Sequence, residues 1–392
     1  MSEKKATNSK LKLNALGNSY NTLYMFIIPF LLPLFREQFH INYVQSGLIL
    51  SIYMALGSIF SLVFGYFGDQ YDKRIIIAGG FIFSSFFLGG LIWLNNITTI
   101  ITFLLLLAIG VSVFKPLAMA IIRENSKEHQ RGRYLSLFSA AGTGGLAIVS
   151  LLFGFFVRMW GWKITCFLLA LPGYFLAYAY IKSKRGKENH KAKAEKKIKK
   201  RYIYLFFVSL GIRSLGDLAI LSFLPIYATE YIGLKPEISA WIIAINFTGE
   251  FLGNLISSRI IDKTSSLILA LSATISATFI IIAITLITQP IIIVLLVGIL
   301  GILQGIYFPS QNTWLTFITP PNCQGRMFGG TSFIQGFSAT IAPALYGWIA
   351  DQTSLICAYR FAAVPFLISF TLFGMIYILQ SRSNKVLPTR KI

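Results

Sequence analysis

Four ionisable residues stand inside long apolar runs: Lys115, Arg213, Asp217 and Glu250. A charge in such surroundings is costly, so it meets a partner or faces a wet cavity where it can do chemistry. Arg213 and Asp217 are four residues apart, which on a helix puts them on one face, one turn apart. Two readings are open for them: a pair that responds to a ligand or a proton, and a pair that only neutralises itself. Glu250 is a carboxyl that can take up and release a proton. Its alternative is a bridge to Arg213, in which case the three groups titrate as one. Lys115 directly precedes Pro116. It either attracts an anionic ligand, or snorkels, or pairs with the carbonyl that the proline leaves free.

Uncharged polar and aromatic residues fall in the same apolar runs: Asn18, Tyr20, Asn21, Tyr24, Tyr53, Tyr227, Asn246, Gln304, Tyr307 and Gln335. Phenol rings with a few amides suit an amphipathic organic molecule, held by ring contacts and a small number of hydrogen bonds. Taken singly, each is equally a helix-packing contact or an interfacial anchor. Metal chemistry has no basis: Cys166, Cys323 and Cys357 are scattered without paired spacing, and His40, His129 and His190 fall in or beside expected loops. No phosphate-binding GxxxxGK[ST] run occurs, and no nucleophile, base and acid gather near one end. No cofactor and no enzymatic activity are expected.

The elements that must position these residues follow from composition. Of 392 residues, 55% are hydrophobic and 12% charged, about half the charge of an ordinary soluble domain. The apolar residues come in blocks long enough to cross a bilayer. Twelve spans are expected, at 15–35, 45–67, 75–94, 99–122, 134–157, 164–182, 202–228, 238–258, 265–287, 291–318, 327–350 and 358–380. The blocks lack the alternation that a closed barrel needs. The basic N-terminus, MSEKKATNSKLKLN, has no signal-peptide core, so span 1 is expected to remain in the mature protein.

The net charge of +21 is spread over short connections, which argues against a nucleic-acid partner. Of the 35 Lys and Arg, 28 lie on the side of both termini and the central loop, five on the other side and two within spans. The positive-inside rule then places both termini and the central loop in the cytoplasm of a multi-pass inner- or plasma-membrane protein. The segment KSKRGKENHKAKAEKKIKKR at 182–201 reads as a solvated linker, compatible with contact to anionic lipid. The expected organisation is an all-α integral membrane protein of two pseudo-symmetric six-helix bundles, 1–182 and 202–392, joined by the basic linker 183–201.

The two halves align at an offset of 193 residues: Asp69 with Asp262, Lys73 with Ser266, Pro116 with Pro309, Gly132 with Gly325, Arg133 with Arg326 and Gly154 with Gly347. On the same offset Tyr20 and Tyr24 pair with Arg213 and Asp217, and Glu250 pairs with Gly57. Two parallel six-helix repeats are the pattern of one transporter architecture, with its site near mid-membrane.

The connection after span 2 reads Gly65-Tyr-Phe-Gly-Asp69-Gln70-Tyr71-Asp72-Lys73-Arg74. It resembles the signature of the major facilitator superfamily at this place, with Gln70 and Asp72 departing from the pattern. The second half repeats it weakly as Ser258-Arg-Ile-Ile-Asp262-Lys263. The resemblance implies a cytoplasmic gate. Gly65 permits close helix approach. Asp69 sits near the positive N-terminal end of span 11, after Arg326. Lys73 or Arg74 pairs with Glu124, while Arg133, Asp262 and Arg326 complete the two repeats of the device. The alternative is that these charges only set topology.

Gly110-Val-Ser-Val-Phe-Lys115-Pro116 with Arg131-Gly132-Arg133, and Arg213 with Phe223-Leu224-Pro225-Ile226-Tyr227, are similar to the fosmidomycin-resistance-type efflux group. That resemblance implies proton-coupled efflux of a drug or metabolite by a monomer, with small-molecule substrate, protons and membrane lipid as partners. The repeat architecture implies rocking of 1–182 against 202–380 about a midplane site, with Asp217 and Glu250, as ionisable residues inside spans, the candidate proton-coupling carboxylates. Span 11 carries Pro343, but its repeat partner in span 5 is Ser150, so the helix-5 kink common in antiporters is missing. Uptake or facilitated diffusion of a small metabolite, an anionic one included, through Lys115 and Arg213 stays open.

Overall fold

The computed structural model describes residues 2–41, 43–183, 200–227 and 236–382. All regular structure among the described residues is helical. The helices are α1 (Ser2–Phe39), α2 (Tyr43–Gln70), α3 (Lys73–Gly90), α4 (Ile97–Ser112), α5 (Phe114–Asn125), α6 (Arg131–Lys182), α7 (Lys200–Ile226), α8 (Pro236–Ile260), α9 (Ser266–Leu286), α10 (Pro290–Ile318), α11 (Gln324–Gln352), α12 (Leu355–Phe361) and α13 (Ala363–Arg382). Most of the 182–201 linker and the tail beyond 382 lie outside the described residues.

The twelve expected spans map onto these helices with three informative differences. Span 4 is interrupted at Val113, which separates α4 from α5. Pro116 has no N–H for the Ser112 carbonyl, and its ring crowds that turn, so the break falls just before it. Spans 5 and 6 run together as α6, whose 52 residues would extend far beyond a hydrocarbon core of about 30 Å if straight. Gly161 divides them, at φ 77° and ψ 162°. That left-handed conformation is open to glycine at no steric cost. Span 12 is split into α12 and α13 at Ala362. At the other end of the chain, α1 begins at Ser2, well before the apolar block.

The chain packs as two compact units. Unit 1 comprises 1–126, 141–194 and 321–337, and unit 2 comprises 127–140, 195–320 and 338–392. In this grouping the first turns of α6 belong with unit 2 and the first half of α11 with unit 1. Both units place large apolar and aromatic side chains inside. In unit 1, Phe81, Phe114 and Tyr180 meet ring to ring. In unit 2, Phe206, Trp314 and Phe373 do the same. Large apolar residues such as Phe86, Trp93, Phe175, Phe279, Ile291 and Leu295 stay exposed. On a soluble protein such a surface would drive aggregation, and in a bilayer it is the solvated face.

Candidate functional site

Unit 2 encloses an arginine. Arg213 on α7 is fully buried. Its Nε lies 3.3 Å from Asp217 Oδ2, and one terminal nitrogen donates to Thr274 Oγ1 on α9 at 2.8 Å. The guanidinium carbon lies 3.5 Å from the ring centre of Tyr307 on α10 and 4.4 Å from that of Phe366 on α13. Asp217 Oδ1 accepts from Gln304 Nε2 at 3.2 Å. Four helices therefore converge on one positive charge, through a carboxylate, a hydroxyl and two aromatic faces. Cation–π contacts gain strength when desolvated, and arginine suits them better than lysine. The sequence identified Arg213, Asp217, Gln304 and Tyr307 as candidates. It did not identify Thr274 or Phe366, whose signal was a lone hydroxyl and a lone ring in apolar helices. The arginine is turned into the interior of its bundle and sealed there, so it acts on Asp217 directly.

One of these helices, α10, is held against α8 by glycine. A methyl group added at Gly301 would strike the Asn246 carbonyl, and one at Gly305 the Glu250 carbonyl. Methyl groups at Gly249 and Gly253 would strike the carbonyls of Gly298 and Ile302. Gly249-xxx-Gly253 on α8 thus faces Gly301-xxx-Gly305 on α10, backbone against backbone, as small residues permit in membranes. Asn246 Nδ2 donates to the Val297 carbonyl at 3.3 Å across the same crossing. Glu250, partly exposed, and Gln304 sit within these glycine runs. The spacing of these glycines is legible in the sequence.

The aromatic candidates are mostly committed to packing. In unit 1, Tyr24 is fully buried and its hydroxyl is 3.2 Å from Ser85 Oγ and 3.1 Å from the Leu169 carbonyl. Tyr53 donates to the Tyr24 carbonyl at 3.0 Å. In unit 2, Tyr227 donates to the Ile284 carbonyl at 3.0 Å and stacks on Tyr359. Asn18 and Asn21 are buried, whereas Tyr20, Lys115 and Gln335 are partly open. Tyr20 meets Tyr24 edge to face.

The loop motif forms two similar junctions, one within each unit. In unit 1, Asp69 accepts from the Gly325 N–H at 2.7 Å and the Arg326 N–H at 3.0 Å, at the first turn of α11. Arg326 Nε adds an ion pair at 3.2 Å. A methyl group at Gly65 would run into Gly325 and Gly329. Lys73 Nζ pairs with Glu124 at 2.9 Å. Arg74 does not share that role: it holds Asp72 at 2.6 Å and donates to the Ser183 carbonyl. Asp72 also caps α3 by accepting from the Arg74 N–H, so its departure from the signature makes it a helix N-cap.

In unit 2, Asp262 accepts from the Arg133 N–H at 3.2 Å, at the first turn of α6. A methyl group at Gly132 would meet Ile261 and Asp262. Half-burial raises the Asp262 carboxyl above its ordinary 3.8. The Arg133 and Gly132 N–H groups and the charges of His129 and Arg133 oppose that rise.

Two all-helical units with apolar outer surfaces, both burying polar side chains and one burying an ion pair, define a multi-pass membrane protein built to house polar groups inside lipid. The Major Facilitator Superfamily profile matches residues 15–329 and 206–391. The chain belongs to the major facilitator superfamily, and it is a membrane transporter. Relatives named "Proton-coupled antiporter flippase LtaA" include that of Staphylococcus saprophyticus, 23% identical over 95% of this chain and 98% of that protein. Another is that of Staphylococcus haemolyticus, 25% identical over 92% and 96%. Among solved structures, FucP in its outward conformation superimposes with a TM-score of 0.78 at 14% identity, covering 94% of this chain and 99% of that one. The human organic anion transporter MFSD10 gives 0.79 at 12% identity, covering 94% and 99%. These two likenesses are of fold.

Proposed function

We propose that this protein is a proton-coupled exporter of an amphipathic organic molecule, working by alternating access from a plasma membrane with both termini in the cytoplasm. The observation that carries the reading is Asp217, a carboxyl buried within a membrane bundle and held by one arginine and one glutamine. Protonation of Asp217 would release the Arg213 charge and change the hydrogen bonding of Gln304, which links a proton to the packing of α7 against α10. Glu250, one turn from Asn246 on α8, is the second coupling carboxyl. Asp69 and Asp262 act as the cytoplasmic gate, made and broken at the first turns of α11 and α6. The proton-coupled antiporter relatives support the coupling, and the word flippase in their names supports an amphipathic substrate. The resemblance to fosmidomycin-resistance-type pumps supports export. Arg213 positions Asp217, while Tyr20, Lys115 and Gln335 are the open candidates for touching substrate.

The test is an efflux screen of drugs and metabolites in a pump-deficient host, with Asp217→Asn and Glu250→Gln. Export against a gradient is expected from the wild type and lost in at least Asp217→Asn. If both variants still extrude substrate uphill, the coupling assignment is wrong. Inward flux into proton-loaded vesicles would instead favour uptake.

A further inference from the structure

Below Asp217, unit 2 contains two side-chain amides that no described residue satisfies. Asn254 on α8 and Gln311 on α10 are both fully buried. Neither the oxygen nor the nitrogen of either amide has a hydrogen-bond partner among the described residues. Buried polar atoms are rarely left this way, because each forfeits its water without replacement. The first repeat shows that packing does not require these amides. At the 193-residue offset their counterparts are Ser61, whose hydroxyl donates to the Ser58 carbonyl at 2.7 Å, and Ala118.

Their placement is ordered. Asp217 meets Gln304, and the Asn254 main chain lies against Gly305, one residue further along α10. Gln311 is seven residues beyond Gln304 on α10, so it shares that face about 10 Å nearer the basic end. One turn past Asn254, Ser257 lies 3.1 Å from Ser136. Ser136 in turn donates to the Gly132 carbonyl at 2.9 Å. The turn that holds Gly132 and Arg133 is the one that caps Asp262. Polar groups thus run from the mid-bundle carboxylate to the surface carboxylate, and the amides stand where the direct hydrogen bonds stop.

We propose that Asn254 and Gln311 hold a file of buried water that conducts protons between Asp217 and the cytoplasmic end of unit 2. The inference rests on Asp217 being the coupling carboxyl. Water fits the amides where a cation does not. Each presents a donor and an acceptor, and water can serve both, whereas a cation would satisfy the oxygens and leave the two nitrogens unserved. Proton transfer along such a file is a relay: each water accepts a proton on one side and releases another on the other, with no net chemistry.

The experiment is hydrogen–deuterium exchange at the protonated Asp217 carboxyl, followed by infrared spectroscopy on the full-length protein after acidification, with the band assigned by its loss in Asp217→Asn. Asn254→Leu and Gln311→Leu remove the amides at similar volume, and Gln311→Met serves if the leucine variant fails to fold. The expected result is exchange at least roughly tenfold slower in the variants, equivalent to about 1.4 kcal/mol of added barrier. Unchanged exchange together with a higher melting temperature in the variants would mean dry, merely tolerated amides and overturns the file. If no band sensitive to Asp217→Asn forms at any pH, the coupling role of Asp217 fails instead.

Discussion

Asp217 and Arg213 define each other. A guanidinium with no solvent contact persists because a carboxylate, a hydroxyl and two rings surround it. Removing one partner of a buried ion pair leaves an uncompensated charge, a loss of about 3–5 kcal/mol. Asp217→Asn is therefore expected to lower thermal stability by that order, read from melting of the purified protein. Adding Arg213→Met to that variant is expected to recover most of the loss, because the stranded charge is then gone. If Asp217→Asn melts with the wild type, the pair is not what holds the cluster. The spacing of these two residues was legible in the sequence because i,i+4 is a local rule. Thr274 and Phe366 were not, because which hydroxyl and which ring a buried arginine meets depends on how α9 and α13 are rotated about their axes.

At the scale of elements, α8 and α10 cross backbone against backbone. Gly301→Ala or Gly305→Ala must force the helices apart, since the obstructing atoms are carbonyls on a rigid neighbour. Overpacking of this kind costs about 1–3 kcal/mol. Gly79→Ala, with nothing within 4 Å of the added methyl, is the matched control and is expected to be neutral or slightly stabilising in the same melting assay. Equal effects at all three positions would remove the crossing as the cause.

The junction at Asp262 carries a pH dependence. Its carboxyl is raised in the packed state, chiefly by burial. Its stabilising contribution is therefore complete below the unfolded value and is lost as pH rises through the packed-state value. Amide protection over 131–140 is expected to weaken as pH rises above about 4, once intrinsic exchange rates are corrected. Asp262→Asn is expected to flatten that trend. A protection profile that steepens in the variant contradicts the assignment. Helix existence was readable from the length of apolar runs, and the Val113 break from Pro116. The fusion of spans 5 and 6 into α6 was not, because a single residue in a left-handed conformation reverses the chain without a loop-like composition.

For the whole molecule, the asymmetry of Lys and Arg between connections sets the expected orientation. Fusing green fluorescent protein to the C-terminus should give fluorescent cells, and fusing alkaline phosphatase there should give inactive enzyme. The reverse pair of outcomes would invert the topology and move the Asp69 and Asp262 junctions to the outer face. The two-unit plan was legible from the fixed offset. The reassignment of 127–140 and 321–337 was not, because sequence order gives connectivity and not the side on which a helix end is packed.

The glycine-to-glycine crossing of α8 and α10 is not repeated at the matching register of unit 1, which is occupied by Leu56, Phe60, Ala108 and Ser112. The two copies are therefore unequal at this crossing. A pair of helices in main-chain contact cannot shear without breaking a continuous seam, whereas a pair separated by side chains can yield by rotamer changes. When bilayer thickness changes, this helix pair is expected to yield in unit 1, while its counterpart in unit 2 keeps its shape beside the enclosed charge.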